Sequence, residues 1–157
     1  MEQQPRAKGQ SSFELLITLS FGLAILLPLV VVAFLQIANA NTALTSAEAQ
    51  QAASKIASVA TLVGSEGPPA KQVVQVNIPK GVNTIYVGNT INGIGHEVIF
   101  VVVSPQGLSY VTAYTPINVS GNLSTFSNPG TYLVNVSAQP KCPSRTSLPC
   151  VYVKTVV

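Results

Sequence analysis

The chain has 157 residues, of which only 8% are charged, and its formal net charge is +3 at pH 7. Soluble globular domains carry roughly 25% charged residues, so the surface of this protein must rely on uncharged polar side chains. The eight Lys and Arg residues are scattered singly and form no basic stripe, which argues against nucleic-acid binding. There is one histidine, and all five acidic residues are Glu, so the composition favours no catalytic class.

The N-terminal third contains an apolar stretch that is long enough to cross a membrane. Residues 15–35 include only two polar side chains, and a helix of this length spans roughly 30 Å. Pro28 lies within the stretch and predicts a local kink. Arg6 and Lys8 come just before it, and no further basic residue occurs until Lys55. The positive-inside bias therefore predicts a cytoplasmic N-terminus, with the rest of the chain outside the cell.

Three interpretations of this stretch compete. A secretory signal peptide would be cut after Ala40, but its apolar region is typically about 7–15 residues long. A plain transmembrane anchor explains the length and the orientation. Neither interpretation explains why a carboxylate, Glu14, lies at the edge of the apolar stretch. Such a charge costs about 2.5–3.5 kcal/mol at the centre of a bilayer and less near its edge. The third interpretation accounts for it.

The residues around Glu14 resemble the class III signal peptide of archaeal type IV pilin-like proteins. The sequence KGQSSFELL places a basic leader and Gly9 before Gln10, and Ser12 and Glu14 are the third and fifth residues after the glycine. The resemblance implies that a prepilin peptidase cuts between Gly9 and Gln10. It also implies that Glu14 of an incoming subunit pairs with the new amino group of Gln10 on its neighbour, while the apolar helices polymerise.

The same resemblance implies a structural subunit of a type IV pilus-like filament on an archaeal cell surface, with an adhesive role. Its partners would be other copies of the chain, the prepilin peptidase, an assembly ATPase, a membrane platform protein and the membrane before assembly. Leu15 stands where the family often has an aromatic residue, and Thr18 where it often has Leu. The alternatives are a membrane-anchored monomeric surface protein of binding or surface-layer type, and a Glu14 that merely faces lipid headgroups.

The Ala-rich segment after the apolar stretch predicts that the helix continues outside the membrane. Its apolar residues recur at helical spacing: Ala52, Ile56, Val59 and Val63. Gly64 is a predicted C-cap, and the sequence SEGPPAK then stops the helix. The predicted organisation is a leader over residues 1–9, a transmembrane and filament-core helix over residues 10–64, and a head domain over residues 68–157.

The head is predicted to be all-β, because its pattern changes to short runs rich in Val, Ile, Tyr and Thr. Six such runs are QVVQVNI, NTIYVGN, HEVIFVVVS, LSYVTAY, GTYLVNVSA and CVYVKTVV. Turn-forming Pro, Asn and Gly separate them, so we expect about seven strands in a small immunoglobulin-like sandwich. Residues 96–103 form the most continuously apolar run and predict a strand that is buried on both faces. The predicted fold class is α+β, a long hydrophobic helix followed by this head.

Two modifications of the exported part are predicted. Cys142 and Cys150 are the chain's two cysteines, and their spacing predicts a disulfide that closes a short loop. Three Asn-X-Ser sequons make Asn118, Asn122 and Asn135 candidate N-glycosylation sites. Asn118 and Asn122 are favoured because they lie in a turn-prone segment, whereas Asn135 falls inside a predicted strand.

No residue pattern predicts a catalytic, cofactor-binding or metal-binding site. His96 stands beside Glu97, but the chain contains no Asp to complete a catalytic group. The sequence GNTINGIG is Gly-rich, but it joins strands and does not open a helix as a phosphate-binding loop does. We therefore expect neither an enzyme nor a bound cofactor.

Overall fold

The computed structural model describes residues 8–89, 93–105, 107–123, 128–143 and 148–156. Within them one α-helix precedes six β-strands: α1 (Lys8–Glu66), β1 (Lys71–Ile78), β2 (Val82–Val87), β3 (Gly95–Ser104), β4 (Gly107–Asn122), β5 (Gly130–Gln139) and β6 (Cys150–Thr155). The predicted α+β class and the long apolar N-terminal helix are confirmed. The chain divides into two compact units, Met1–Asn41 and Thr42–Val157, and α1 runs through both.

The end of α1 differs from the prediction. The helix continues past Gly64, and Gly67, with φ of 74°, is the residue that caps it. The Gly67 amide donates a hydrogen bond of 3.2 Å to the carbonyl of Val63. A side chain at Gly64 would collide with Cδ1 of Ile117 and lie 3.1 Å from Cγ2 of Val151. The predicted C-cap at Gly64 is therefore wrong, because this glycine instead allows the helix to approach the sheet.

The second unit has a core between the C-terminal part of α1 and the sheet. The buried residues of α1 share one face of the helix: Ala49, Ala52, Ala53, Ile56, Ala57, Ala60 and Val63. Five of these seven are Ala, and their small side chains allow the helix backbone to lie close to the sheet. They form one hydrophobic cluster with inward-facing strand residues such as Val76, Phe100, Val134 and Val153. Part of the predicted filament helix is thus also a structural layer of the head.

The six strands form a single mixed sheet in the order β1-β5-β6-β4-β2-β3, and each of them corresponds to one of the six apolar runs. About seven strands were predicted, and the described residues contain six. All pairs are antiparallel except β4 with β6. Strand β4 is 16 residues long, so that its first half pairs with β3 and its end pairs with both β2 and β6. Because α1 covers the apolar face of this sheet, no second sheet is needed to bury it. The predicted immunoglobulin-like sandwich is not confirmed.

Strand β3 is buried on both faces, as its apolar run predicts. Five consecutive residues from Val98 to Val102 are buried, and β3 pairs with β2 on one side and with β4 on the other. Phe100 and its inward-facing neighbours belong to the core beneath α1. Ile99 and Val101, which point to the opposite face, are only 8% and 5% exposed.

A chain of hydrogen bonds connects α1 to β4 inside the apolar core. The Thr61 hydroxyl donates to the carbonyl of Ala57 at 2.8 Å, and its oxygen lies 3.0 Å from the fully buried hydroxyl of Thr115. Because a hydroxyl carries one proton, Thr115 must be the donor to Thr61. The Ile117 amide in turn donates to Thr115 at 3.4 Å. Each of the two hydroxyls therefore has a hydrogen-bond partner inside the core.

Candidate functional site

The predicted processing motif lies at the N-terminal end of α1. The helix begins at Lys8, so Gly9 and Gln10 are in its first turn, although their side chains and residues 1–7 of the leader lie outside the described part. The side chains of Ser12 and Glu14 are exposed. Gln10 and Glu14 are four positions apart on one helix and therefore lie on the same face, about one turn apart.

Helix α1 presents apolar side chains to the outside in every direction over the first unit. From Phe13 to Ile37 the large apolar side chains are between 44% and 69% exposed. The best 18-residue window has a mean hydropathy of 2.7, and none of it is buried. Burying this many large side chains is worth tens of kcal/mol. By length and composition, the helix is long and apolar enough to span a membrane.

The polar groups inside the apolar stretch are satisfied within the helix. The Thr18 hydroxyl can donate to the carbonyl of Glu14 at 2.9 Å or of Leu15 at 3.0 Å, and the Ser20 hydroxyl donates to the carbonyl of Leu16 at 2.7 Å. These side chains therefore need no hydrogen-bond partner from a surrounding bilayer. The Glu14 carboxylate differs, because the described side chains of the first unit, residues 12–41, include no Lys or Arg to pair with it.

The two cysteines form the predicted disulfide. Cys142 and Cys150 are joined with a Cα–Cα distance of 5.4 Å, and the Cys142 amide also donates to the carbonyl of Leu148 at 2.9 Å. Cys150 is the first residue of β6, a strand whose Val151 and Val153 belong to the core. The disulfide therefore fastens the loop before β6 to the edge of the core.

Replacing both Cys142 and Cys150 by Ser should lower the free energy of unfolding of the head by about 2–3 kcal/mol, because the unfolded chain then loses a closed loop. Urea unfolding of the full chain in detergent micelles, followed by circular dichroism, measures this loss. Reductant should produce the same loss in the unsubstituted protein and none in the double variant. Two free thiols by mass measurement on the native protein would contradict the prediction.

The three sequons have different surroundings. Asn122 is exposed at the end of β4, while Asn118 is half-buried in the same strand. Asn135 lies in β5 between Val73 of β1 and Lys154 of β6, and its buried Oδ1 has no hydrogen-bond partner among the described residues. Asn118 and Asn122 also lie in a paired strand, β4, so the predicted turn-prone segment is wrong. Exposure favours Asn122 as an attachment site.

His96 lies near the start of β3 and contacts two residues of β4. Its Nδ1 lies 3.1 Å from the carbonyl of Ile117, and its ring lies 6.1 Å from the ring of Tyr114 at an angle of 30°. Across the described ranges, no three His, Cys, Asp or Glu residues come together as metal ligands would. The groups of functional interest among the described side chains are therefore the Glu14 carboxylate, the disulfide and polar amides.

Two structural features had no signal in the sequence. The close approach that requires Gly64 and the Thr61–Thr115 contact both join residues more than 50 positions apart. Comparison with known proteins adds no further constraint on the site. The chain matches no protein-family model, no curated protein and no solved structure.

Proposed function

We propose that this protein is a pilin, the structural subunit of a type IV pilus-like filament on an archaeal cell surface. The observation that carries the proposal is a helix with apolar side chains exposed on all sides, headed by one exposed carboxylate at Glu14. The motif Gly9–Gln10 stands one turn before this carboxylate. A bilayer can hold such a helix before assembly, and the helices of neighbouring subunits can cover it afterwards.

Cleavage after Gly9 gives the assembly step its electrostatic basis. The cut removes Arg6 and Lys8 and creates a positive amino group on Gln10. When helices pack and exclude water, Glu14 of one subunit is neutralised by the Gln10 amine of the next. An ion pair is much stronger in that medium than in water, and an unpaired buried carboxylate is costly. The pair therefore fixes the axial position at which each subunit enters the filament.

The assembly partners, the orientation and the modifications of the chain belong to the same proposal. Assembly uses a prepilin peptidase, an assembly ATPase and a membrane platform protein, and the leader faces the cytoplasm in the single-pass intermediate. The head faces outward, where the disulfide is stable. Asn118 and Asn122 are its glycosylation sites, and adhesion is the role of the filament. No cofactor or catalytic residue takes part.

A second candidate is a monomeric surface protein anchored by the same helix. It is favoured by the second unit, which has a hydrophobic core of its own that includes α1 from Ala49 to Val63. Such a head would fold without neighbours. In this alternative the first unit is only an anchor, and Glu14 lies among lipid headgroups.

The N-terminal residue of the mature surface protein distinguishes these functions. We expect N-terminal sequencing of material released from the cell surface to begin at Gln10. A membrane-anchored monomer would begin at Met1, and a secreted protein cut by signal peptidase would begin at Asn41. Replacing Gly9 by Leu should leave the leader attached and prevent filaments, whereas Ala7→Leu, two positions earlier, should still be cut. Either alternative start would contradict the proposal.

A further inference from the structure

The second unit contains a cleft of about 270 Å³ that the proposed assembly does not use. It opens where the end of α1 meets the bend of β4 and the ends of β5, β6 and β3. Its walls are Gly64, Gly67, Pro68, His96, Pro116, Ile117, Asn118, Ala138, Gln139, Pro149, Cys150 and Val151. No sequence pattern indicates the cleft, because these residues come from five separate segments.

The walls of the cleft are held in place by the surrounding structure. Gly64 lets α1 come against Ile117 and Val151, and any larger residue would push the helix outward. The disulfide at Cys150 ties another wall to the preceding loop. The Nδ1 of His96 is engaged with the carbonyl of Ile117, which leaves Nε2 as the other polar atom of the ring. A site that is formed before its ligand arrives binds without an ordering cost.

The lining is uncharged and offers both apolar and amide groups. Three prolines, which have no backbone N–H, line the cleft together with Ile117 and Val151. Asn118 and Gln139 supply side-chain amides, each of which can donate and accept hydrogen bonds. Among the residues that the structure describes, no Lys, Arg or Glu lines the cleft. A charged ligand would therefore be uncompensated, and a wholly apolar one would leave both amides unpaired.

We infer that this cleft binds one neutral sugar ring. Its volume lies just under the roughly 300–1,000 Å³ of sites for drug-sized ligands, so it suits a single ring and not an oligosaccharide. Neighbouring hydroxyls of a sugar both donate and accept, as the two amides do, and the C–H face of the ring packs on proline. This function belongs to the head alone and holds whether or not the protein polymerises.

The sugar has two possible sources with the same chemistry. It is either a sugar of a glycan attached to Asn118, in which case the Asn118 amide is the attachment point and Gln139 supplies the free side-chain amide, or a sugar unit presented by another surface. In the first case the cleft holds the chain's own modification against the head. In the second case it is a recognition site.

The test uses the full chain produced in a host that adds no glycans, in zwitterionic micelles without sugar headgroups. His96 is the chain's one histidine, so its ring protons provide a single reporter signal in proton NMR. Titration with methyl glycosides of neutral hexoses and N-acetylhexosamines should shift this signal saturably. Glucuronate, which is similar in size but charged, should bind at least about 5-fold more weakly.

Gln139→Ala should weaken the binding of the neutral sugar about 5- to 10-fold, as expected for the loss of one or two hydrogen bonds. Gln75→Ala is the matched control, because Gln75 is exposed on β1 and is not part of the cleft. It should leave the affinity unchanged. Absence of a saturable shift with every neutral sugar, or equal weakening by the two variants, would overturn the inference.

Native protein distinguishes the two sources. If intact mass shows a glycan at Asn118, the His96 signal should already lie at its bound position, and added sugar should not move it. If Asn118 is unmodified, native protein should bind added sugar as the recombinant chain does. A glycan at Asn118 that leaves the His96 signal at its unbound position would contradict the inference.

Discussion

Cells that carry Glu14→Leu should insert the protein in the membrane normally and assemble no filaments. Leucine extends the apolar stretch and removes the cost of placing a carboxylate near hydrocarbon, so insertion is at least as favourable. The Gln10 amine of the neighbouring subunit, however, then has no negatively charged partner between the packed helices. An unpaired buried charge costs several kcal/mol per subunit. Membrane fractionation and electron microscopy of surface filaments measure the two effects separately.

Two variants make this result specific to the carboxylate of Glu14. Glu14→Gln keeps the shape but removes the charge, and it should also abolish filaments. Glu48→Leu removes an exposed carboxylate from the second unit, where no assembly role is proposed, and it should leave filaments unchanged. Abundant normal filaments from Glu14→Leu or Glu14→Gln would refute the pairing of Glu14 with the Gln10 amine.

Ile56→Ala should lower the free energy of unfolding of the head by about 2–5 kcal/mol, the usual cost of truncating a buried Leu, Ile or Met side chain. Ile56 is completely buried, and it belongs to the cluster that joins α1 to the sheet. Since whole domains are stable by only about 5–15 kcal/mol, this is a large fraction of the total. Urea unfolding of the full chain in micelles, followed by the β-sheet signal, measures the loss.

The matched control is Leu62→Ala on the same part of α1. The Leu62 side chain is 51% exposed, so its truncation should change the stability by no more than about 0.5 kcal/mol. Equal effects of Ile56→Ala and Leu62→Ala would mean that α1 does not form a layer of the head. A loss of sheet signal from Ile56→Ala alone would support it.

Local patterns were enough to predict the elements of this protein. The apolar stretch and the Ala-rich segment predicted one long helix, and six apolar runs predicted the six described strands. The burial of β3 on both faces also followed from its uninterrupted run of apolar residues. These features depend on the spacing of neighbouring residues, which the sequence contains directly. The extent of β4 was underestimated, because the segment around Asn118 and Asn122 was predicted to be turn-prone and is part of the strand.

Pairing between distant segments could not be predicted in the same way. The apolar strand faces could be covered either by a second sheet or by a helix, and strand spacing alone favoured the sandwich. In the structure the Ala-rich face from Ala49 to Val63 covers the sheet, whereas the sequence analysis assigned this segment to the filament-core helix. The position of Gly64 likewise suggested a cap, since its close approach to Ile117 is a contact across 53 positions.

The sequence by itself determined the helix, the strands and the disulfide partners, and it is the basis of the proposed processing motif with its carboxylate. Each of these depends on residue type and short-range spacing, and the two cysteines allowed only one pairing within the chain. The tertiary structure alone decided that α1 packs on the sheet, that Gly67 and not Gly64 caps the helix, and that a neutral cleft forms beside the disulfide. These outcomes depend on which surfaces, distant in the sequence, pack against each other. Close packing of that kind is a property of the folded chain as a whole.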